Sequence, residues 1–114
     1  EEADGRLVYF VVTRAMFAET GAEVSEVEGF VDNFRKIGGV ELIVFFREQP
    51  DGRTRVSLRA KGGLDVASLA EQLGGGGHRA AAGAVLAEPL DAAMPRVLAA
   101  ARRLLALSPG ERAG

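Results

Sequence analysis

Apolar positions along the chain recur with two different periods, and the switches between them mark out its elements. Arg6-Leu7-Val8-Tyr9-Phe10-Val11-Val12-Thr13 is a dense β-branched and aromatic run, apolar on both alternating faces. It predicts a strand covered on both sides. Arg14 to Thr20 is short and helix-compatible, and Gly21 can end it. Ser25 and Glu28 match a capping box, in which each satisfies the other's backbone N–H. Behind it Val27, Phe30, Val31 and Phe34 fall at i, i+3, i+4 and i+7, which predicts a helix with one apolar face, stopped by Gly38-Gly39. Val40 to Arg47 predicts a second strand, nearly all apolar. Gln49-Pro50-Asp51-Gly52 is turn chemistry, and Thr54 to Ala60 reads as the hairpin partner of that strand.

In this third strand the alternation is clean. Val56, Leu58 and Ala60 share one face; Arg55, Ser57 and Arg59 share the other. Lys61-Gly62-Gly63 breaks it. Asp65 can then cap a short helix that carries Leu69 and Leu73 inward. Gly74-Gly75-Gly76-Gly77-His78 follows, and the spacing predicts a short helix starting behind it over the alanines. Gly83 to Ala87 can form a last strand. Pro89 and Pro95 bracket the start of a final helix, with Met94, Val97, Leu98, Ala101, Leu104 and Leu105 as its apolar stripe and Arg96, Arg102 and Arg103 off it. Ser108 to Gly114 reads as a frayed tail. No repeat or linker divides the pattern. The expected fold is a single α/β domain over residues 1–114, with a mixed sheet of about four to five strands packed with helices.

Composition narrows the function. The 114 residues are 47% apolar, enough for one core. Lys and Arg number 14 against 16 Asp and Glu, for a net charge of −2, which excludes a strongly basic nucleic-acid scaffold. Any anion site must be local, built from a few arginines and backbone N–H groups. The absence of cysteine removes disulfide frameworks and thiolate metal sites and fits a cytoplasmic location. No apolar run approaches the ~20 residues of a membrane span, and no secretory signal is visible. The start Glu1-Glu2-Ala3-Asp4 reads as an excised domain or processed product, with a further segment ahead of it.

The candidate chemistry centres on the glycine run. Without side chains, successive N–H groups of Gly74, Gly75, Gly76 and Gly77 can turn toward one anion, and a helix starting there would add its positive end. A flexible turn is the plainer reading, and spacing alone leaves both open. His78, the one histidine, could donate to a phosphate or stack on a base; the alternative is a helix-terminal or satisfied core residue. Ser57 and Arg59 share the polar strand face, with Lys61 just beyond its end, and arginine forks match phosphate oxygens. Arg55, on that face, fits a solvated position. Arg79 is either a ligand contact or a surface residue. One histidine without a partner acid makes no metal site, and Ser57, Ser68 and His78 have no triad context, so no catalytic residue is assigned.

Three segments together carry a family resemblance. Gly74-Gly75-Gly76-Gly77-His78-Arg79-Ala80-Ala81-Ala82-Gly83 resembles the GGGH-x-x-A-[AS]-G signature of the DHH-associated domain, the C-terminal domain of DHH-family phosphoesterases. Val56-Ser57-Leu58-Arg59-Ala60-Lys61-Gly62 is similar to that family's VSLRSKG segment, with Ala60 where serine is frequent. Phe34-Arg35-Lys36-Ile37-Gly38-Gly39-Val40-Glu41 through Phe46-Arg47-Glu48 is similar to its R-x-I-x-G-V-E…F-R-E stretch. The resemblance implies a substrate-binding domain whose gripping residues are, by position, Ser57, Arg59, Gly75, Gly76, Gly77 and His78. It implies a preceding DHH domain with two manganese ions that hydrolyses phosphoesters. The implied ligands are short RNA or DNA oligonucleotides, 3′-phosphoadenosine 5′-phosphate or dinucleotides, and a homodimer of the longer protein is compatible with it. The Asp-His-His motif is absent, so this chain is not expected to hydrolyse anything alone. A similar glycine-rich domain ends alanyl-tRNA synthetases, which leaves an RNA-binding module as the alternative; a purely structural or dimerising domain is a third reading.

Overall fold

The strands predicted from the alternation assemble into one mixed sheet in the computed structural model, which describes residues 6–13, 15, 38–61 and 63–107. The elements in chain order are β1 (Leu7–Val12), β2 (Leu42–Glu48), β3 (Thr54–Ala60), α1 (Val66–Gln72), β4 (Gly76–Gly77), β5 (Ala81–Leu86) and α2 (Leu90–Leu107). Across the sheet the order is β1-β2-β3-β5-β4; β1 and β2 run parallel, the other neighbours antiparallel. The helix predicted behind Ser25, residues 16–21 and the tail from Ser108 lie outside the described residues.

Local chemistry sets the elements. The β2–β3 turn closes through Gly52 N–H to Gln49 O (3.0 Å) and Gln49 N–H to Arg53 O (2.9 Å), with Gly52 at φ +91°. Asp51 holds this turn by accepting from the Arg53 amide (3.0 Å) and guanidinium (2.8 Å), which keeps its carboxyl below the ordinary range. Asp65 caps α1, accepting from Ala67 N–H (3.0 Å) and Ser68 N–H (3.3 Å), as its place ahead of the apolar residues predicts. α2 starts directly after Pro89, whose carbonyl accepts from Ala93 N–H (2.9 Å), and carries Pro95 inside it on the exposed side.

The register sorts the side chains into two faces. Leu42, Val44, Phe46, Val56, Leu58, Ala82, Ala84 and Leu86 are buried on one face with the apolar sides of both helices, including Leu69, Val97, Leu98 and Leu105. Tyr9 joins them edge-on to Phe46, with ring centroids 6.3 Å apart. β5 begins two residues earlier than expected, because Ala81 and Ala82 pair with Arg59 and Leu58. The second face carries three cross-strand rows. One is Phe10, Phe45, Ser57, Gly83 and Gly76; flanking it are Val8, Ile43, Arg59 and Ala81, and Val12, Arg47, Arg55 and Val85. Apart from Arg47 near the end of β2, this face is apolar over β1 and β2, and it changes at β3 to arginines, a hydroxyl and small residues.

Beside this sheet sits an ion pair that the sequence pattern does not reveal. The buried Arg6 guanidinium makes a two-pronged contact with Glu41, 3.0 Å on each prong, and donates to the Leu105 carbonyl (3.3 Å). It thus ties the start of β1 to the segment before β2 and to the last turn of α2. No helix among the described residues is long and apolar enough to cross a membrane.

Candidate functional site

The glycine run does two jobs in the structure, and neither is to start a helix. Gly74 and Gly75 end α1 instead. Gly74 adopts φ +91° and donates to Glu71 O (3.1 Å), while Gly75 donates to Ala70 O (2.8 Å). That pair of bonds is the Schellman closure, in which a glycine in the left-handed region lets the chain turn back. Gly76 and Gly77 then pair with Gly83 and Ala82 as β4. The helix expected after His78 is replaced by a tight turn: His78 N–H donates to Ala81 O (2.8 Å) and Ala81 N–H to His78 O (3.2 Å). These bonds satisfy the groups a helix would have used, so the alanines continue as β5, and the positive end of a helix plays no part here.

The turn is anchored to the rest of the chain. Val66 N–H donates to Arg79 O (2.9 Å), Ala60 N–H to Ala80 O (2.9 Å), and the Arg79 guanidinium to Gly63 O (3.0 Å). Because His78 and Ala81 form a hydrogen-bonded pair, the alternation of an antiparallel ladder turns the Gly77 N–H away from β5 to the open sheet edge.

An open cleft of about 250 Å³ lies on the sheet face over β3 and this hairpin. Arg55, Ser57 and Arg59 line it from β3, and Gly76, Gly77, Ala81, Ala82 and Gly83 from β4 and β5. No acidic side chain is among these lining residues. Two guanidiniums and a hydroxyl thus converge on bare backbone, a surface suited to an anion with several oxygens. Ser57 is buried at the cleft floor, and one Arg59 nitrogen is held by the Leu58 carbonyl (3.1 Å), which orients its fork.

The lack of side chains does not have the same cause at every glycine. A Cβ on Gly75 would stand 2.1 Å from Gly83 O, on Gly77 2.5 Å from Ala82 Cα, and on Gly83 2.7 Å from Val56 O. These glycines are required by the close approach of backbone to backbone. Gly76 is not. A Cβ there would find no atom of the described residues within 4 Å. The fold has room for a side chain at Gly76, and the cleft is open because there is none.

Of the residues singled out from sequence, the cleft gathers Ser57, Arg59, Gly76 and Gly77. Gly74 and Gly75 stand behind it as the end of α1. His78 and Arg79 lie exposed in the turn, which removes the core-histidine reading. Lys61 lines a separate hollow with Gly39, Val40 and Glu41. It is turned there because its amide continues the chain's pairing to Glu41 O (3.0 Å) rather than to β5. Arg55, read from sequence as a solvated position, belongs to the cleft: its partner across the sheet, Val85, is preceded in β5 by the small residues that open the space beside it. No group of three or more His, Cys, Asp or Glu side chains that could hold a metal ion occurs among the described residues.

Known proteins are similar to the chain in sequence and in fold. A family model described as the DHHA1 domain matches residues 4–107. The chain is 41% identical over 96 residues to the bifunctional oligoribonuclease and PAP phosphatase NrnA of Thermus thermophilus, covering 83% of this chain and 29% of that protein. It thus spans under a third of the relative's length. An exopolyphosphatase-related protein from Bacteroides fragilis has the same fold, with a TM-score of 0.73 at 23% identity, over 90% of this chain and 29% of the other. So does the C-Ala domain of Aquifex aeolicus alanyl-tRNA synthetase, with a TM-score of 0.68 at 15% identity, over 91% of this chain and 96% of that one.

Proposed function

Since the chain belongs to the DHHA1 domain family, we propose that it is the substrate-gripping domain of a DHH phosphoesterase that acts on short oligonucleotides or nucleotides. The observation that carries the reading is the cleft itself, with Arg59 and Ser57 facing bare backbone at Gly76. In this reading a terminal phosphate sits over Ser57. The Arg59 guanidinium takes two of its oxygens and the Ser57 hydroxyl donates to it, while the bare backbone of Gly76 and Gly83 leaves room for it. His78, exposed in the adjoining turn, faces the sugar or base. These contacts fix the phosphoester and neutralise its charge, so that the scissile bond is held in one orientation.

The hydrolytic chemistry belongs to a preceding DHH domain, where manganese would activate the attacking water. The 41% identity to an oligoribonuclease and PAP phosphatase supports this branch. The fold does not separate it from an RNA-binding module, because the synthetase domain has the same architecture. Ligand binding separates both from a purely structural domain. Fluorescence anisotropy with a labelled 5′-phosphorylated diadenylate tests the reading. Arg59→Ala should weaken binding roughly 10- to 150-fold, the loss of about 1.5–3 kcal/mol in charge-assisted hydrogen bonds. Equal affinity of Arg59→Ala and wild type would overturn it.

A further inference from the structure

Arg47, near the end of β2, lies directly across from Arg55 on the same face of the sheet as the cleft. Like charges placed opposite each other in a sheet repel. Among the described residues no carboxylate pairs with either guanidinium; the acids Glu41, Asp51 and Glu88 are engaged by Arg6, Arg53 and Arg96. In addition the Arg47 Nε is buried and has no hydrogen-bond partner among the described residues. A buried donor without an acceptor is costly, and two facing arginines without an anion are costly again. Both costs are removed by the same event, an anion seated between the two guanidiniums.

We propose that Arg47 and Arg55 form a second phosphate station of the cleft, so that the domain selects ligands with at least two phosphates in a chain. The proposal rests on the reading that Ser57 and Arg59 hold the first phosphate. Arg55 is two residues along β3 from Ser57, about 7 Å, the order of one nucleotide step of an extended strand. The row Val12, Arg47, Arg55 and Val85 lies next to the row of Ser57, Gly83 and Gly76, so the two stations adjoin without an intervening element. A phosphodiester chain entering at Gly76 would run along β3 toward the end of β2, away from the His78 turn.

The test compares 5′-adenosine monophosphate with 5′-phosphorylated diadenylate and triadenylate, each titrated into the chain and its Arg47→Gln and Arg55→Gln variants. The expected result is a drop of about tenfold in the ratio of diadenylate to monophosphate affinity in either variant. The slope of log affinity against log salt should also become shallower by about 0.7, the value for one fewer neutralised phosphate on a single strand. Because the Arg47 Nε has no partner to lose, Arg47→Gln should melt at the wild-type temperature or above; Arg55→Gln, at a half-exposed strand position, is the independent check. An unchanged ratio in both variants, with monophosphate still bound, overturns the second station alone. If neither ligand binds the wild-type chain, the first-station reading falls and takes the second with it.

Discussion

Gly76 is the position where the fold and the proposed ligand would make opposite demands, and Gly76→Ala separates them. An added Cβ meets no described atom within 4 Å, and the backbone there is not in the left-handed region. The folded state therefore gives up nothing, while the unfolded chain loses freedom. Such a replacement stabilises by about 0.4–1 kcal/mol, or a rise in Tm of about 2–4 °C for a domain of this size. The same methyl would stand in the open cleft, on the row of Ser57 and Gly83, where the proposed phosphate would sit. Displacing one charge-assisted hydrogen bond should raise Kd roughly 10- to 150-fold. The control is Gly75→Ala, whose Cβ would stand 2.1 Å from Gly83 O. Forcing that approach should cost about 1–3 kcal/mol or more and lower Tm by about 4–12 °C. Differential scanning fluorimetry and anisotropy with the diadenylate read both quantities. A Gly76→Ala chain that melts lower than wild type, or binds with wild-type affinity, would refute the argument that this glycine is bare for the ligand's sake.

Other consequences can be read from stability. Arg6→Met should destabilise by about 3–5 kcal/mol, because it strands the buried Glu41 carboxylate, whereas Arg6→Met with Glu41→Leu should recover most of the loss; chemical denaturation of the three chains decides this. Glu88 accepts from Arg96, which keeps its carboxyl below the ordinary value. A depressed folded value gives stability that is complete above the unfolded pKa and is lost as pH falls through the folded one. The small Tm gap between wild type and Glu88→Gln should therefore be present near neutral pH and close as pH falls from about 5 to about 3. A gap that persists or widens in acid would contradict the sign.

Much of this architecture is legible in the chain because its signals are local. The alternation of Arg55, Ser57 and Arg59 with Val56, Leu58 and Ala60 predicts β3 to its ends, and Asp65 predicts the start of α1. β4 is not legible. Glycine has no strand preference of its own, and Gly76-Gly77 becomes a strand through bonds to Ala82 and Gly83 that depend on the turn between them. Arg55 shows the same limit. Its face follows from alternation, but its share in the cleft depends on the register of β5. The Arg6–Glu41 pair joins residues 35 apart and leaves no periodic trace. The family resemblance, by contrast, indicates Ser57, Arg59 and the glycines at once, but it does not distinguish Gly76 from Gly75, which the packing does.

The claim that a phosphate sits over Ser57 between Arg59 and the bare Gly76 backbone is tested most directly by titrating 5′-phosphorylated diadenylate into the isotope-labelled chain and following its NMR signals. The account predicts saturable shifts concentrated at the amides of Ser57, Gly76, Gly77 and Gly83 and at the Arg59 guanidinium, with Lys61 and the Schellman amide of Gly75 much less affected. Shifts centred on Lys61 and Val40, or none at the Gly76 and Gly77 amides at saturation, would contradict it.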